Sequence, residues 1–512
     1  MKLEEARSLW FRARPLALPA CLCLFVLFCI GGLNPYFRPD YHDNITYYVA
    51  AESLLAGDGY TFEGAPIADW PPVTSVIFAG VFAIFGPSVI VAKLISITAA
   101  VIAVILASQL LRREERPDRL KTIAIFCLTP VALLTATTVA SDWICAAFSF
   151  GCLLALSHLY KQRGLPLAVA TGLLLGLAAL TRQTGVLLGA AIVFQALIVC
   201  RRRGIRAVLP EFLAAATGAA MYLGWGAYTA AQLAKQPPLT GNYATYGLSL
   251  FSDFSLSELM LSIFDVFCKW DDVLEKVGVP AGLTVPLLII PTLILAAGLI
   301  SNVRRNAIHP SDVYALAFLA LLFGYHWKLS RYLLPIAPFL IAWFIAGLRC
   351  TGSFLANLPW GRQQRFYDSA INGFAGLWLA CLIPLNAFVL FNQSGNGLHR
   401  GISVLASPSP DAYYQGRWAD LHAGCQAILA DGQPGAVASS GFYLRYTKAF
   451  TKRAVIDTER SPNDPAGYAI FVADSDYSDP SEFYQAGDLK IYETDKVTVF
   501  RRSQNQVAIS EN

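Results

Sequence analysis

The sequence predicts an α-helical polytopic membrane protein with a small α/β domain outside the membrane at its C-terminus. Composition is the first indication, because 55% of the 512 residues are hydrophobic and only 14% are charged, whereas soluble domains carry about 25% charged residues. Long apolar runs are the second indication, and basic residues placed regularly between these runs are the third. The net charge of +4 is too small to indicate a nucleic-acid partner.

About eleven apolar runs are long enough to be transmembrane helices, since a helix needs about 20 residues to cross the hydrocarbon core. The predicted spans are 16–32, 88–111, 122–140, 143–160, 165–181, 184–200, 207–231, 282–302, 311–325, 331–349 and 369–391. Residues 73–86 are also apolar, but this run is short and ends at Gly86-Pro87. It predicts a re-entrant or interfacial helix. The first run has no clear small-residue cleavage site after it, so we interpret it as an uncleaved helix and not as a signal peptide.

Basic residues indicate the side of the membrane on which each connection lies. With the N-terminus inside, the basic inner connections are 112–121, 161–164, 201–206, 302–306 and 362–365. This is the pattern of the positive-inside rule. The outer segments are then 33–72, 141–142, 182–183, 232–281, 326–330 and the chain after about 392. We expect a bacterial plasma (inner) membrane protein, with a membrane domain at 1–391 and an extracytoplasmic domain at 392–512.

The C-terminal segment differs in character from the rest of the chain. It is polar and contains the loop signals SPSPD, DGQPG and SPNDP. Between them lie short apolar pieces, GAVASSGFYL, YAIFVAD, LKIYE and KVTVFRR. The apolar spacing from Trp418 to Leu429 predicts an amphipathic helix. The segment therefore predicts a small α/β or α+β domain, and it contains no recognisable catalytic motif.

The candidate chemistry lies in two acidic motifs on the predicted outer side. The first is the long outer loop 33–72, which is rich in carboxylates and in which Asn44–Leu55 has the spacing of a helix lying on the membrane surface. Asp43 precedes this helix, so a structural N-cap explains it as well as catalysis does. The second motif is Asp142, in the turn before the next span, where capping is again the alternative.

Four basic residues share that predicted face. Each has a structural alternative, because Lys and Arg near helix ends often extend to the lipid headgroups. Several cations beside carboxylates, however, suit a phosphate or pyrophosphate held at the membrane edge. The four candidates are Lys93, Arg182, Lys328 and Arg331.

Three stretches together resemble a known superfamily. HDNITYYVAAESLLAGDGY (42–60) resembles the first outer loop of polyprenyl-phosphate-sugar-dependent glycosyltransferases with the membrane GT-C fold. These include the protein O-mannosyltransferases and the lipid A aminoarabinose transferases. The chain thus resembles glycosyltransferase family 39. VASDWICAAF (139–148) is similar to the short second outer loop of these enzymes, and SRYLLPIAPFL (330–340) is similar to their late Arg-aromatic-Leu-Pro segment.

The resemblance implies transfer of a sugar from a polyprenyl-phosphate donor to a glycan, lipid or protein acceptor at the outer membrane face. It implies Asp43 as the general base, Asp142 as a second acidic residue of the site, and Tyr47 and Tyr332 in contact with substrate. The four cations would then hold the donor phosphate. Many relatives have Asp-Glu in the first motif where this chain has Asp43-Asn44, which weakens the case for a divalent cation, Mg²⁺ or Mn²⁺, held by Asp142 and a neighbour.

Two other functions stay open at this point. A transporter or flippase of a lipid-linked glycan would carry its site near the bilayer midplane, with broken helices or inward-facing charges. The predicted spans hold almost no mid-helix charge, which favours transfer over transport. A non-enzymatic assembly partner that binds through its outer domain is the third hypothesis.

Overall fold

Helices form most of the described chain, and a mixed β-sheet follows them near the C-terminus. The computed structural model describes residues 16–37, 43–62, 64–68, 70–116, 118–235, 260, 263, 281–305, 307–323, 330–356, 372–384, 417–439, 447, 450, 451, 455–457, 468–472, 488–494 and 497–501. The candidate phosphate-binding residue Lys328 and most of the outer loop 232–281 lie outside these residues.

The helices agree closely with the apolar runs of the sequence. In chain order they are α1 (Ala17–Gly31), α2 (Asp43–Ala56), α3 (Val73–Phe85), α4 (Val89–Arg113), α5 (Arg119–Cys127), α6 (Pro130–Ala136), α7 (Asp142–Gln162), α8 (Leu165–Ala179), α9 (Leu188–Arg203), α10 (Leu209–Leu233), α11 (Ala281–Arg304), α12 (Pro310–Phe323), α13 (Ala337–Ala356), α14 (Asn372–Pro384) and α15 (Arg417–Asp431). Short 3₁₀ helices cover Gln183–Leu187, Ile205–Val208 and Ser330–Leu333. A two-stranded hairpin, β1 (Thr61–Phe62) and β2 (Ala65–Pro66), follows α2.

Within the described residues, four helical segments are long and apolar enough to cross a membrane. They are Val89–Arg113, Asp142–Gln162, Gln183–Arg203 and Ile205–Leu233, and the bent pair α5 and α6 would be a fifth. Shorter apolar helices occupy the other predicted spans. The protein is therefore a multi-pass membrane protein, while the predicted number of eleven spans stays a prediction.

The predicted span 122–140 is bent, because two short helices meet there at an angle of 56°. Pro130 causes the break: it lacks a backbone N–H and disfavours helical backbone at the preceding residue, and Thr129 is extended. The Thr129 hydroxyl accepts a hydrogen bond from the Ala132 amide at 3.4 Å, and Trp143 Nε1 donates to the Ala132 carbonyl at 3.1 Å. These contacts support the helix after the break.

The predicted surface helix after Asp43 exists as α2, but it does not lie exposed. Every residue from Asn44 to Ala51 is buried, because α2 packs against α3. The Tyr48 ring contacts Phe37 and Phe82 with centroid distances of 5.2 Å to each. Apolar spacing could not show this burial, since the polar residues of α2 face protein as well.

Small residues allow two helix pairs of the membrane domain to approach closely. A Cβ atom at Gly172 or Gly218 would collide across the α8–α10 contact, with Ala214 and Leu175 respectively. At the α11–α13 contact, a Cβ at Gly347 would overlap the Ile294 carbonyl, and one at Gly298 would overlap the Trp343 carbonyl. Small residues at such contacts are typical of helix packing in lipid.

Ion pairs lie at the C-terminal ends of α4 and α7. Arg163, which follows α7, pairs with buried Glu211 at the start of α10. Arg116, which follows α4, pairs with buried Asp312 at 2.6 Å. The 21 residues of α7 span about 32 Å at 1.5 Å per residue, close to the thickness of the hydrocarbon core. The Arg163–Glu211 pair therefore lies about one membrane thickness from Asp142.

The C-terminal region forms a helix packed on a five-stranded sheet of order β4-β3-β5-β7-β6. Its strands are β3 (Val437–Ser439), β4 (Val455–Asp457), β5 (Tyr468–Val472), β6 (Leu489–Glu493) and β7 (Val497–Arg501). β3 pairs in parallel with β4 and β5, and β7 pairs antiparallel with β5 and β6. The predicted α/β character and the helix from Trp418 are confirmed, whereas β4 was not predicted. The boundary at 391/392 stays a prediction because it lies outside the described residues.

Candidate functional site

Asp43 and Arg331 meet although 288 positions separate them in the chain. Arg331 Nη2 donates to Asp43 Oδ2 at 3.2 Å. Asp43 begins α2, and Arg331 lies in the 3₁₀ turn Ser330–Leu333 that precedes α13. The helix predicted from 331 begins at Ala337 instead. This 3₁₀ turn places Arg331 beside α2.

Asp142 and Arg182 form a second ion pair. Arg182 Nη1 donates to Asp142 Oδ1 at 2.9 Å and to Ser141 Oγ at 3.1 Å. Ser141 Oγ in turn donates to the Tyr47 hydroxyl at 3.1 Å. Asp142 begins α7, and Arg182 follows α8 with an extended backbone. Tyr47 lies one helical turn after Asp43, so this hydrogen-bond chain connects the second pair to the helix that carries the first.

The Tyr332 ring lies beside both guanidinium groups. Its centroid is 4.8 Å from Cζ of Arg182 and 5.2 Å from Cζ of Arg331. A cation within about 6 Å of a ring centroid is attracted by the negative face of the ring. Tyr332 therefore keeps two positive charges close together, although they repel each other. The two acidic motifs of the sequence thus meet in one site.

Lys93 is described but is engaged elsewhere. Its Nζ donates to the Asn34 carbonyl at 3.0 Å and to Asn34 Oδ1 at 2.7 Å, and the residue is 1% exposed. These contacts join α4 to the segment that follows α1. No contact between Lys93 and the two arginine–carboxylate pairs is described, so its predicted role in phosphate binding stays a prediction, as does that of Lys328.

Burial and charge set the protonation of two groups in the site. Burial raises the pKa of the Tyr47 hydroxyl, and the Asp43 carboxylate raises it further, so Tyr47 is neutral at ordinary pH. Burial lowers the pKa of Arg182, but the charge of Asp142 offsets this, and the pKa ends above its ordinary value. Arg182 therefore keeps its positive charge in a buried position.

Sequence reasoning missed Ser141 as a member of the site. Ser141 is fully buried and joins Arg182 to Tyr47, but a Ser before an acidic helix start has the pattern of an N-cap. In the structure its side chain makes no capping hydrogen bond. A signal was present in the sequence only as the resemblance of 139–148 to the second outer loop of the superfamily.

The described residues do not by themselves make a site for a divalent metal. Among them, no group of three or more His, Cys, Asp or Glu side chains is placed to hold a metal ion. Asp142 offers one oxygen, Oδ2, which is buried and makes no hydrogen bond to a described residue. Its other oxygen bonds the Arg182 cation, which would repel a divalent ion. These residues therefore do not fit Mg²⁺ or Mn²⁺ without ligands from elsewhere.

Comparisons with known proteins show what the chain is similar to. A family model described as dolichyl-phosphate-mannose-protein mannosyltransferase matches residues 69–227, a segment that contains Lys93, Asp142 and Arg182 but neither Asp43 nor Arg331. No curated protein sequence matches the chain significantly.

Solved structures cover more of the chain. ArnT from Cupriavidus metallidurans bound to undecaprenyl phosphate has a TM-score of 0.59 at 13% identity, over 95% of this chain and 98% of that one. ArnT in the apo state has a TM-score of 0.55 at 13% identity, over 98% and 99%. The archaeal oligosaccharyltransferase AglB from Archaeoglobus fulgidus, in complex with an inhibitory peptide and a dolichol-phosphate, has a TM-score of 0.51 at 13% identity, over 87% of this chain and 65% of that one.

At 13% identity these likenesses show the fold, and they extend over nearly the whole of the chain. The chain therefore has a GT-C-like fold, which is the fold that the three sequence motifs predict.

Proposed function

We propose that this protein transfers a sugar from a polyprenyl-phosphate-linked donor to an acceptor glycan, lipid or protein. The observation that carries the proposal is the convergence of the Asp43–Arg331 and Asp142–Arg182 pairs around Tyr332. The fold supports it, because two solved proteins with this fold were captured with undecaprenyl phosphate and with a dolichol-phosphate.

The two arginines suit the leaving group of such a transfer. When the bond between the anomeric carbon and the phosphate oxygen breaks, its electron pair stays on the phosphate, where negative charge develops. Guanidinium groups bind phosphate oxygens through paired N–H donors, and positive groups held in place before the reaction stabilise developing charge most effectively. Tyr332 holds Arg182 and Arg331 in such a position.

The two carboxylates differ in a way that suggests different roles. The Asp43 side chain is 18% exposed, whereas that of Asp142 is 1% exposed. An acceptor hydroxyl or amine can approach the former more easily. In the proposed reaction Asp43 takes the acceptor proton as the acceptor atom attacks the anomeric carbon, and Asp142 orients Arg182. Tyr47 and Tyr332 are proposed to contact substrate as well.

The proposal puts the reaction on the extracytoplasmic side of a bacterial plasma membrane. Support comes from the basic connections of the sequence, since Arg163 lies about one membrane thickness away from Asp142 along α7. The prenyl chain of the donor would lie in lipid beside the helices. The outer C-terminal domain is proposed to contribute to acceptor recognition.

A transfer assay tests the proposal. Purified protein in detergent is mixed with a polyprenyl-phosphate sugar and candidate acceptors, and the transferred sugar is measured. Asp43→Asn should abolish transfer, because an amide cannot take the proton. Asp58→Asn is the matched control, since Asp58 is an exposed carboxylate in the same outer loop and its loss changes the net charge equally.

Two results would contradict the proposal. Full transfer by the Asp43→Asn variant would remove Asp43 from the role of base. Reconstituted vesicles that translocate the lipid-linked sugar without transferring it would favour the flippase hypothesis.

A further inference from the structure

We propose that the donor phosphate displaces Asp43 from Arg331, so that donor binding itself releases the base. This inference rests on the proposed function, and it couples donor binding at Arg331 to proton removal by Asp43. Without donor, the candidate base is occupied by the cation that the phosphate needs. With donor, Arg331 would bind phosphate, and Asp43, without the charge of Arg331 beside it, could take a proton.

The two ion pairs of the site differ in exposure, since the Asp43 side chain is 18% exposed and that of Asp142 is 1% exposed, and the more exposed pair is the one that opens. Arg331 reaches Asp43 through a contact of 3.2 Å, which is long for a hydrogen bond between charged groups, usually about 2.7–2.9 Å. Arg182 reaches Asp142 at 2.9 Å and also bonds Ser141. Of these two carboxylate contacts, the one to the more exposed carboxylate, Asp43, is the longer.

Charge balance gives the direction of the exchange. The two carboxylates and two guanidinium groups of the pairs sum to zero charge, and the phosphodiester of the donor adds one negative charge. A phosphate that approaches Arg331 repels the Asp43 carboxylate, which can move toward solvent more readily than buried Asp142. Once its cationic partner has left, a carboxylate is a stronger base. The base would thus become active only when the leaving group is in place.

The competition predicts that removing the carboxylate tightens phosphate binding. Undecaprenyl phosphate is titrated into the purified full-length protein in detergent, and binding is followed by intrinsic tryptophan fluorescence. Coupling between two sites usually changes affinity by about 5- to 150-fold. We expect Asp43→Asn to bind undecaprenyl phosphate about tenfold more tightly than the wild type, because the amide keeps the shape of the side chain but no longer competes for Arg331 with a charge.

Two further variants isolate the exchange from general effects. Asp58→Asn removes a charge from the same loop, and we expect its affinity to match that of the wild type. Arg331→Gln should bind undecaprenyl phosphate more weakly than the wild type. Adding Asp43→Asn to this variant should not tighten binding, because the Arg331 guanidinium, for which the carboxylate and the phosphate compete, is gone. Size-exclusion profiles and thermal unfolding establish that each variant is folded.

The outcomes separate this inference from the proposed function. Unchanged or weaker binding by Asp43→Asn overturns the competition, even if that variant has lost transfer and the proposed function stands. An equal gain by Asp58→Asn also overturns it, because net charge would then explain the effect. A wild type that binds no undecaprenyl phosphate overturns the inference and the proposed function together.

Discussion

The buried pair Asp142–Arg182 should be among the most sensitive sites for stability. Asp142→Asn removes one charge and keeps the size of the side chain, which leaves the Arg182 guanidinium buried without its counter-charge. The Arg182 side chain is 14% exposed and that of Asp142 is 1% exposed. Breaking a buried pair from one side costs about 3–5 kcal/mol. The remaining contacts of Arg182 with Ser141 and Tyr332 favour the lower end, about 3 kcal/mol.

This loss is measurable as a lower unfolding temperature in detergent. With an unfolding entropy of about 2.1 cal/mol/K per residue, a loss of 3 kcal/mol lowers the midpoint of a chain of this size by about 3 °C. The double variant Asp142→Asn/Arg182→Gln removes both charges. It should be less destabilised than the two single variants taken together, because neither charge is left buried alone.

The result that would refute this reasoning is additivity. If the single variants each lower the midpoint and the double variant shows the sum of both losses, the two side chains do not stabilise each other. A double variant that unfolds near the wild-type temperature but transfers no sugar would support a role of the pair in the reaction.

Four further predictions can be tested separately. Tyr332→Leu should weaken undecaprenyl phosphate binding about tenfold, because contacts of a cation with a ring contribute about 0.5–2 kcal/mol each; equal affinity would show that the ring does not position the arginines. Gly347→Leu should reduce the yield of monodisperse protein, because its side chain would overlap the Ile294 carbonyl, and Gly373→Leu, at a glycine with open space around it, is the control. Transfer should persist in EDTA, because Asp142 Oδ1 already bonds the Arg182 cation, which would repel a divalent ion at Asp142; loss of activity that Mg²⁺ restores would contradict this. A reporter fused after residue 400 should be active outside the cell and one fused near residue 204 inside, and the reverse would move the site to the cytoplasmic face.

The sequence by itself determined the class of the protein and the order of its elements. A chain with 14% charged residues must place long apolar runs in lipid, and every backbone polar group in lipid must be satisfied within a helix. This is why hydropathy alone located α1, α4, α7 and the other long helices. Three short motifs predicted the GT-C-like fold.

Only the tertiary structure decided how the charged residues pair. Asp43 and Arg331 are 288 positions apart, and Asp142 and Arg182 are 40 apart, so each pairing depends on how whole helices pack. The same limit explains why Lys93 bonds Asn34 and why Ser141 joins the site. Apolar periodicity reports which residues leave water, but contacts between polar side chains depend on distance and direction in three dimensions, which a one-dimensional pattern does not contain.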